Sequence, residues 1–140
     1  MISAFVERLA IRYRDALEEG IKDRHETDPI DGMLKHFFSE RYQIPQLEII
    51  WAEISAYSTR DEETRLTLRN LYRQFETVWY DALSVKYPYS SGDDRRSAAF
   101  QIMTLIDRVG MFCWLDVDPQ ALAYARSGCE DVVKRLRTKR

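Results

Sequence analysis

Apolar residues recur along most of this chain every three or four positions, the spacing that gathers them on one face of a helix. Ile2, Phe5, Leu9, Tyr13, Ala16 and Leu17 mark an amphipathic helix over residues 2–22, with Glu7, Arg8, Arg12, Arg14 and Asp15 on its wet side. Gly20 weakens its end, and the polar run 22–27 is read as a loop. Asp28-Pro29 then supplies an N-cap with proline at the first helical position, where no N–H is needed. Ile30, Met33, Leu34, Phe37 and Phe38 carry this second helix to residue 41 or 42. Ile44-Pro45 breaks the ladder, because the residue before proline avoids helical dihedrals.

A third helix spans 45–57, with Leu47, Ile50, Trp51 and Ile54 on one face and Ile49, Ala52 and Ala56 on the other, so neighbours are expected on two sides. Thr59 with Glu62 fits a capping box, and Asp61, Glu62 and Glu63 suit the positive end of a fourth helix over 61–86. Leu68, Leu71, Tyr72, Phe75, Val78, Trp79, Ala82 and Leu83 repeat along it in a coiled-coil-like register. The turn-rich segment 87–93 follows. Residues 98–115 form the most apolar stretch, which predicts a helix buried on several sides with the others packed around it. One of its faces is a seam of Ile102, Ile106, Val109 and Cys113 with Ala99 and Gly110 beside it; the other carries Phe100, Met103, Met111 and Trp114 with Asp107 in their midst. Asp118-Pro119 opens a last helix through Leu122, Ala125, Cys129, Val132, Val133 and Leu136. The pattern predicts an all-α fold, an antiparallel bundle of about six helices in one domain over 1–140.

Composition narrows the function classes. A net charge of −2 argues against a free-standing nucleic-acid binder. The basic run 134–140 reads as a solvated helix end favoured by the macrodipole. Cys113 and Cys129 lack metal or redox spacing and fit a reduced, cytoplasmic protein, and no secretory leader opens the chain. Gln101, Asp107 and Arg108 interrupt the apolar stretch, so no membrane span is expected.

Candidate chemistry is sparse. His36 pairs with Glu40 at helical spacing, His25 sits in a polar loop, and neither belongs to a metal-binding motif, so no metal and no cofactor is expected. No nucleophile motif, phosphate loop or dinucleotide fingerprint is present, and the chain is not read as an enzyme. The aromatics Phe37, Phe38, Trp51, Trp79, Phe100 and Trp114 are core residues or, with Met103, Met111, Glu53 and Asp107, the lining of a pocket for a small molecule. Asp107 and Glu53 are the odd members. A carboxylate on an apolar helical face needs an arginine, a hydroxyl or a ligand.

The segment Leu47-Glu48-Ile49-Ile50-Trp51-Ala52-Glu53-Ile54-Ser55, followed by 61–73, resembles the "Leu-x-x-x-Trp-Ala-Glu-Ala" stretch in the C-terminal domain of TetR-type transcriptional regulators. Leu105-Ile106-Asp107-Arg108-Val109-Gly110 is similar to that family's "Leu-Ile-Asp-Gly-Leu" segment, although Arg108 stands where a glycine is usual and Gly110 comes two places later. Asp118-Pro119 with Ala121, Ala125 and Cys129 resembles its closing helix, and Phe5-Val6-Glu7-Arg8-Leu9-Ala10 with Tyr13 its linking helix.

The resemblance implies an effector-binding and dimerisation domain whose DNA contacts are made through a helix-turn-helix head ahead of Met1. It implies a homodimer, with the helices over 61–86 and 97–115 meeting their copies; Leu71, Phe75, Val78, Ile102, Ile106, Val109 and Gly110 are the candidate interface residues. Alternatives are a headless module that pairs with a related regulator, and a small helical enzyme using Asp107 or Glu53 as a base.

Overall fold

A computed structural model of the chain describes residues 2–22, 28–39 and 45–138. All regular structure there is helical: α1 (Ile2–Lys22), α2 (Pro29–Phe37), α3 (Pro45–Tyr57), α4 (Glu62–Lys86), α5 (Gly92–Trp114) and α6 (Ala121–Thr138). The loop with His25, the segment holding Glu40, Tyr42 and Ile44, and the last two residues of the basic tail lie outside the described residues.

Local chemistry sets the helix ends. Asp28 caps α2 through its carboxylate, which accepts from the N–H of Ile30 at 3.0 Å, and Pro29 follows at the first turn. This helix stops at Phe37, several residues earlier than its apolar spacing suggests. Phe38 leaves helical geometry, and Ser39 turns back on His36, donating from its hydroxyl to the carbonyl at 2.7 Å. The cap of α4 is Asp61, whose Oδ2 accepts from the N–H and hydroxyl of Thr64 at 2.9 and 2.6 Å. Thr59 is not part of that cap. Its hydroxyl donates to the carbonyl of Ala56 and closes the end of α3 instead.

Two further boundaries differ from the sequence reading. Helix α5 starts at Gly92, inside the expected turn, because Ser91 accepts from the N–H of Asp94 and two acids occupy the first turn. Helix α6 starts at Ala121, since Asp118 spends its carboxylate on the N–H of Gln120 in the preceding turn, at 2.7 Å.

Helix α4 packs against α1, α2, α3 and α5, whereas α5 packs chiefly against α3, α4 and α6. Helix α4 thus touches the most helices, while α5 makes the most extensive packing, against α6 and α4. The main core gathers Met33, Leu34 and Phe37 of α2, Trp79 and Leu83 of α4, Ala99 and Ile102 of α5, and Cys129 and Val133 of α6. A smaller core joins Val6, Ile54, Leu68 and Leu71 under α1, α3 and α4. Helix α3 is covered on one side only: Ile54 is buried, but Ile49, Ile50 and Ala56 are exposed. A space lined by α1, α3, α4 and α5 lies beside the two cores and holds polar groups among its apolar lining. No helix among the described residues is long and apolar enough to cross a membrane.

Candidate functional site

Four helices each contribute one stripe to a cavity of about 90 Å³: Leu9, Arg12 and Tyr13 from α1; Leu47, Glu48 and Trp51 from α3; Tyr72 and Phe75 from α4; Met103, Ile106 and Asp107 from α5. Within each stripe the main spacings are three and four, so each helix turns a single face to the space. That volume has room for several water molecules or for one small chemical group.

The polar centre is Asp107. The hydroxyl of Tyr72 donates to its Oδ1 at 2.8 Å, and the indole Nε1–H of Trp51 is shared between that Oδ1 at 3.1 Å and the Tyr72 oxygen at 2.8 Å. The Trp51 and Tyr72 rings meet edge to face, 5.6 Å between centroids, which fixes both donors. Burial, with the Asp107 charge next, pushes the Tyr72 phenol above its ordinary range, so it remains a donor at any physiological pH.

Glu48 is the second carboxylate. Among the described residues it has no hydrogen bond and no ion pair within reach. Burial raises its pKa above the usual 4.5, and the Asp107 charge adds to the rise; Arg108 and Arg12 oppose it. Its carboxyl lies against Gly110 of α5, where a Cβ would collide with it. A glycine inside a helix costs roughly 1 kcal/mol relative to alanine, and here it opens the space that the carboxyl occupies. Tyr13 closes the other side, stacked on Phe75 with 3.7 Å between centroids, while its hydroxyl accepts from the buried Trp79 indole N–H.

Of the ten pocket candidates from the sequence, Trp51, Met103 and Asp107 line this cavity. Phe37, Phe38 and Trp79 are buried in the main core, with Phe37 packed between Tyr13 and Trp79. Glu53 faces solvent, Met111 is half-buried away from the cavity, and Phe100 and Trp114 are 56% and 47% exposed on the outer side of α5. The acid of α3 that reaches the cavity is Glu48, five residues before Glu53 and about 140° round the helix from it.

The seam expected to meet a second copy is covered within the chain. Ile102 and Val109 belong to the core shared with α6, Leu71 to the small core, and Val78 packs on the main one. Phe75 and Ile106 line the cavity, and Gly110 is buried under Glu48. The spacing marked these residues as apolar and close-packed, but their partners are α6, α3 and α1 of the same chain.

Arg12 and Glu48 are site residues that the sequence reading passed over, since each has the ordinary look of a charged residue on an amphipathic helix, whereas Tyr72 was read there as an apolar position of the fourth helix. Chemically the site offers hydrogen-bond acceptors set among aromatic rings. Among the described residues, no group of three or more His, Cys, Asp and Glu is placed to hold a metal ion. Comparison with protein-family models, with curated proteins and with solved structures finds no match to this chain.

Proposed function

We propose that this chain is the effector-binding and dimerisation domain of a TetR-like transcriptional regulator. The observation that carries the reading is the cavity between α1, α3, α4 and α5, with its polar centre on Asp107 and part of its wall on α1. In such a regulator an occupant of this space favours one placement of α1 over another, and α1 passes that bias to a DNA-reading head outside these 140 residues. The size of the effect equals the ligand's difference in affinity between the two placements.

A library of small molecules screened by thermal unfolding tests the reading. Effectors should raise the unfolding temperature and slow amide exchange in α1 around Leu9–Tyr13 as well as around Trp51 and Asp107. A screen without hits, or hits that leave α1 unprotected, refutes it.

The second reading is an interaction module that pairs with a related regulator. The exposed Phe100 and Trp114 of α5, Leu115 just after it and Tyr124 of α6 favour it, as a surface left for another chain. The same residues serve a homodimer, and the mass in solution separates the two readings.

A further inference from the structure

The polar groups of the cavity are acceptors short of donors. Asp107 is held from one side: both Trp51 and Tyr72 donate to Oδ1, and no described residue donates to Oδ2. Glu48, from a different helix, likewise receives no donor among the described residues, and it lies near enough for the Asp107 charge to oppose its ionisation. A carboxylate carries about four acceptor positions, so most of the pair's capacity is unused by protein. Neither carboxylate belongs to the buried polar atoms left without a partner among the described residues, so these positions are open to water, which a ligand with donors of its own replaces. Around them stand the rings of Tyr13, Trp51, Tyr72 and Phe75, which attract cations through their π faces. Among the described residues Arg12 is the only basic one lining the space, and it has an interaction of its own.

We propose that the cavity binds a small organic cation: a protonated amine carrying a short aromatic or apolar body. Its N–H groups are shared between Asp107 Oδ2 and the Glu48 carboxylate, and its body packs on Trp51 and Phe75. This rests on the effector-binding reading and adds to it the charge and donor character of the ligand. An anion entering the same space meets two carboxylates. A neutral donor fills acceptor positions but adds no positive charge to that of Arg12 and Arg108, which act on Glu48 already. Gly110 has a positioning role: it allows the Glu48 carboxyl to lie against the α5 backbone, and a methyl group there displaces it without changing any charge.

The test titrates benzylammonium chloride, benzyl alcohol and sodium benzoate into the full chain at neutral pH. Binding is followed by calorimetry and by the NMR signal of the Trp51 indole N–H. Benzylammonium should bind at least roughly tenfold more tightly than the other two, the scale of one charge-assisted hydrogen bond. Glu48→Gln and Asp107→Asn should each weaken it about tenfold or more, and Gly110→Ala should weaken it in the same direction. Both amide variants should fold, since Glu48 makes no hydrogen bond and Asn keeps an acceptor for Trp51 and Tyr72.

Benzoate or benzyl alcohol binding as tightly as the ammonium overturns the proposed ligand class, and so does an unchanged affinity in Glu48→Gln. In either case the cavity remains a binding site for another chemistry. Silence from all three probes at millimolar concentration also overturns the cation assignment, while the effector reading is decided separately by the library screen.

Discussion

At the scale of single residues the carboxylates are the informative groups. Asp107 was legible as an anomaly, a charge on an apolar helical face, and its hydroxyl partner is Tyr72. Glu48 was not, because helical spacing gives a residue's angle on its own helix but not where the neighbouring helix leaves a gap; the same ambiguity made Glu53 look like a pocket residue. The raised pKa of Glu48, caused first by burial, means that the folded chain holds this proton more tightly than the unfolded chain. Its contribution therefore favours folding at low pH and is lost as pH rises from the ordinary 4.5 through the raised folded value. Glu48→Gln removes that dependence. At pH 7 the variant should unfold at the same or a higher temperature than the parent, with the difference shrinking towards zero below 4.5. A variant that melts earlier at pH 7 would show that the carboxylate is held by a stabilising partner. Tyr72→Phe tests the other half of the site: loss of the hydroxyl should cost about 1 kcal/mol in urea unfolding. A cost near zero would mean that Trp51 alone satisfies Asp107.

At the scale of elements, the existence of all six helices and several of their ends were readable, and the reasons are local. Pro29 and Pro45 cannot sit inside a helix, so the spans Ile2–Lys22 and Pro45–Tyr57 followed from breakers and spacing. The misread boundaries are the end of α2 and the starts of α5 and α6. Ser91, Asp94 and the neighbouring acids pull the start of α5 back into a segment whose composition looks like a turn. Asp61 and Thr59 compete for one cap, and the charged side chain, which binds both the N–H and the hydroxyl of Thr64, takes it. Three substitutions check these two caps. Ser91→Ala should lower stability by about 1 kcal/mol and allow amide exchange at the start of α5. Asp61→Ala should lower the unfolding temperature above pH 4 while Thr59→Ala barely moves it, since the Asp61 pKa is held below its usual 3.8 by the Thr64 bonds. That advantage is present above the unfolded value and is lost as pH falls through the folded one, so parent and Asp61→Ala should converge in acid. Equal effects from Thr59→Ala and Asp61→Ala would restore the capping box.

At the scale of the whole molecule, α4 binds two cores into one bundle, and among the large apolar side chains left exposed are several on α5, just after it and on α6. Phe100, Trp114 and Leu115 fall within about 100° of one another around α5, and they are 56%, 47% and 59% exposed. Tyr124 of α6 is also exposed, at 64%. Scattered apolar residues on a surface need no explanation; here Thr104, Asp107 and Met111 separate Phe100 from Trp114, while Trp114 and Leu115 are exposed side by side at the end of the helix, the kind of apolar group an association face would use. This is where a two-fold partner has something to cover, unlike Leu71, Ile102 and Val109, which the chain buries itself. The expected state is a homodimer, read by light scattering as twice the 16.6 kDa of one chain. Phe100→Glu with Leu115→Glu should convert it to monomer without lowering the unfolding temperature of the isolated chain, because the parent side chains are largely exposed there. Ile102→Ala makes a poor interface probe by comparison: the side chain is fully buried within one chain, so its loss should cost about 2–5 kcal/mol of folding stability whatever the oligomeric state. A parent chain that scatters as a monomer at micromolar concentration would refute the dimer itself, whereas a double glutamate variant that stays dimeric would remove this face from the interface and turn attention to α3, where Ile49 and Ile50 are also exposed.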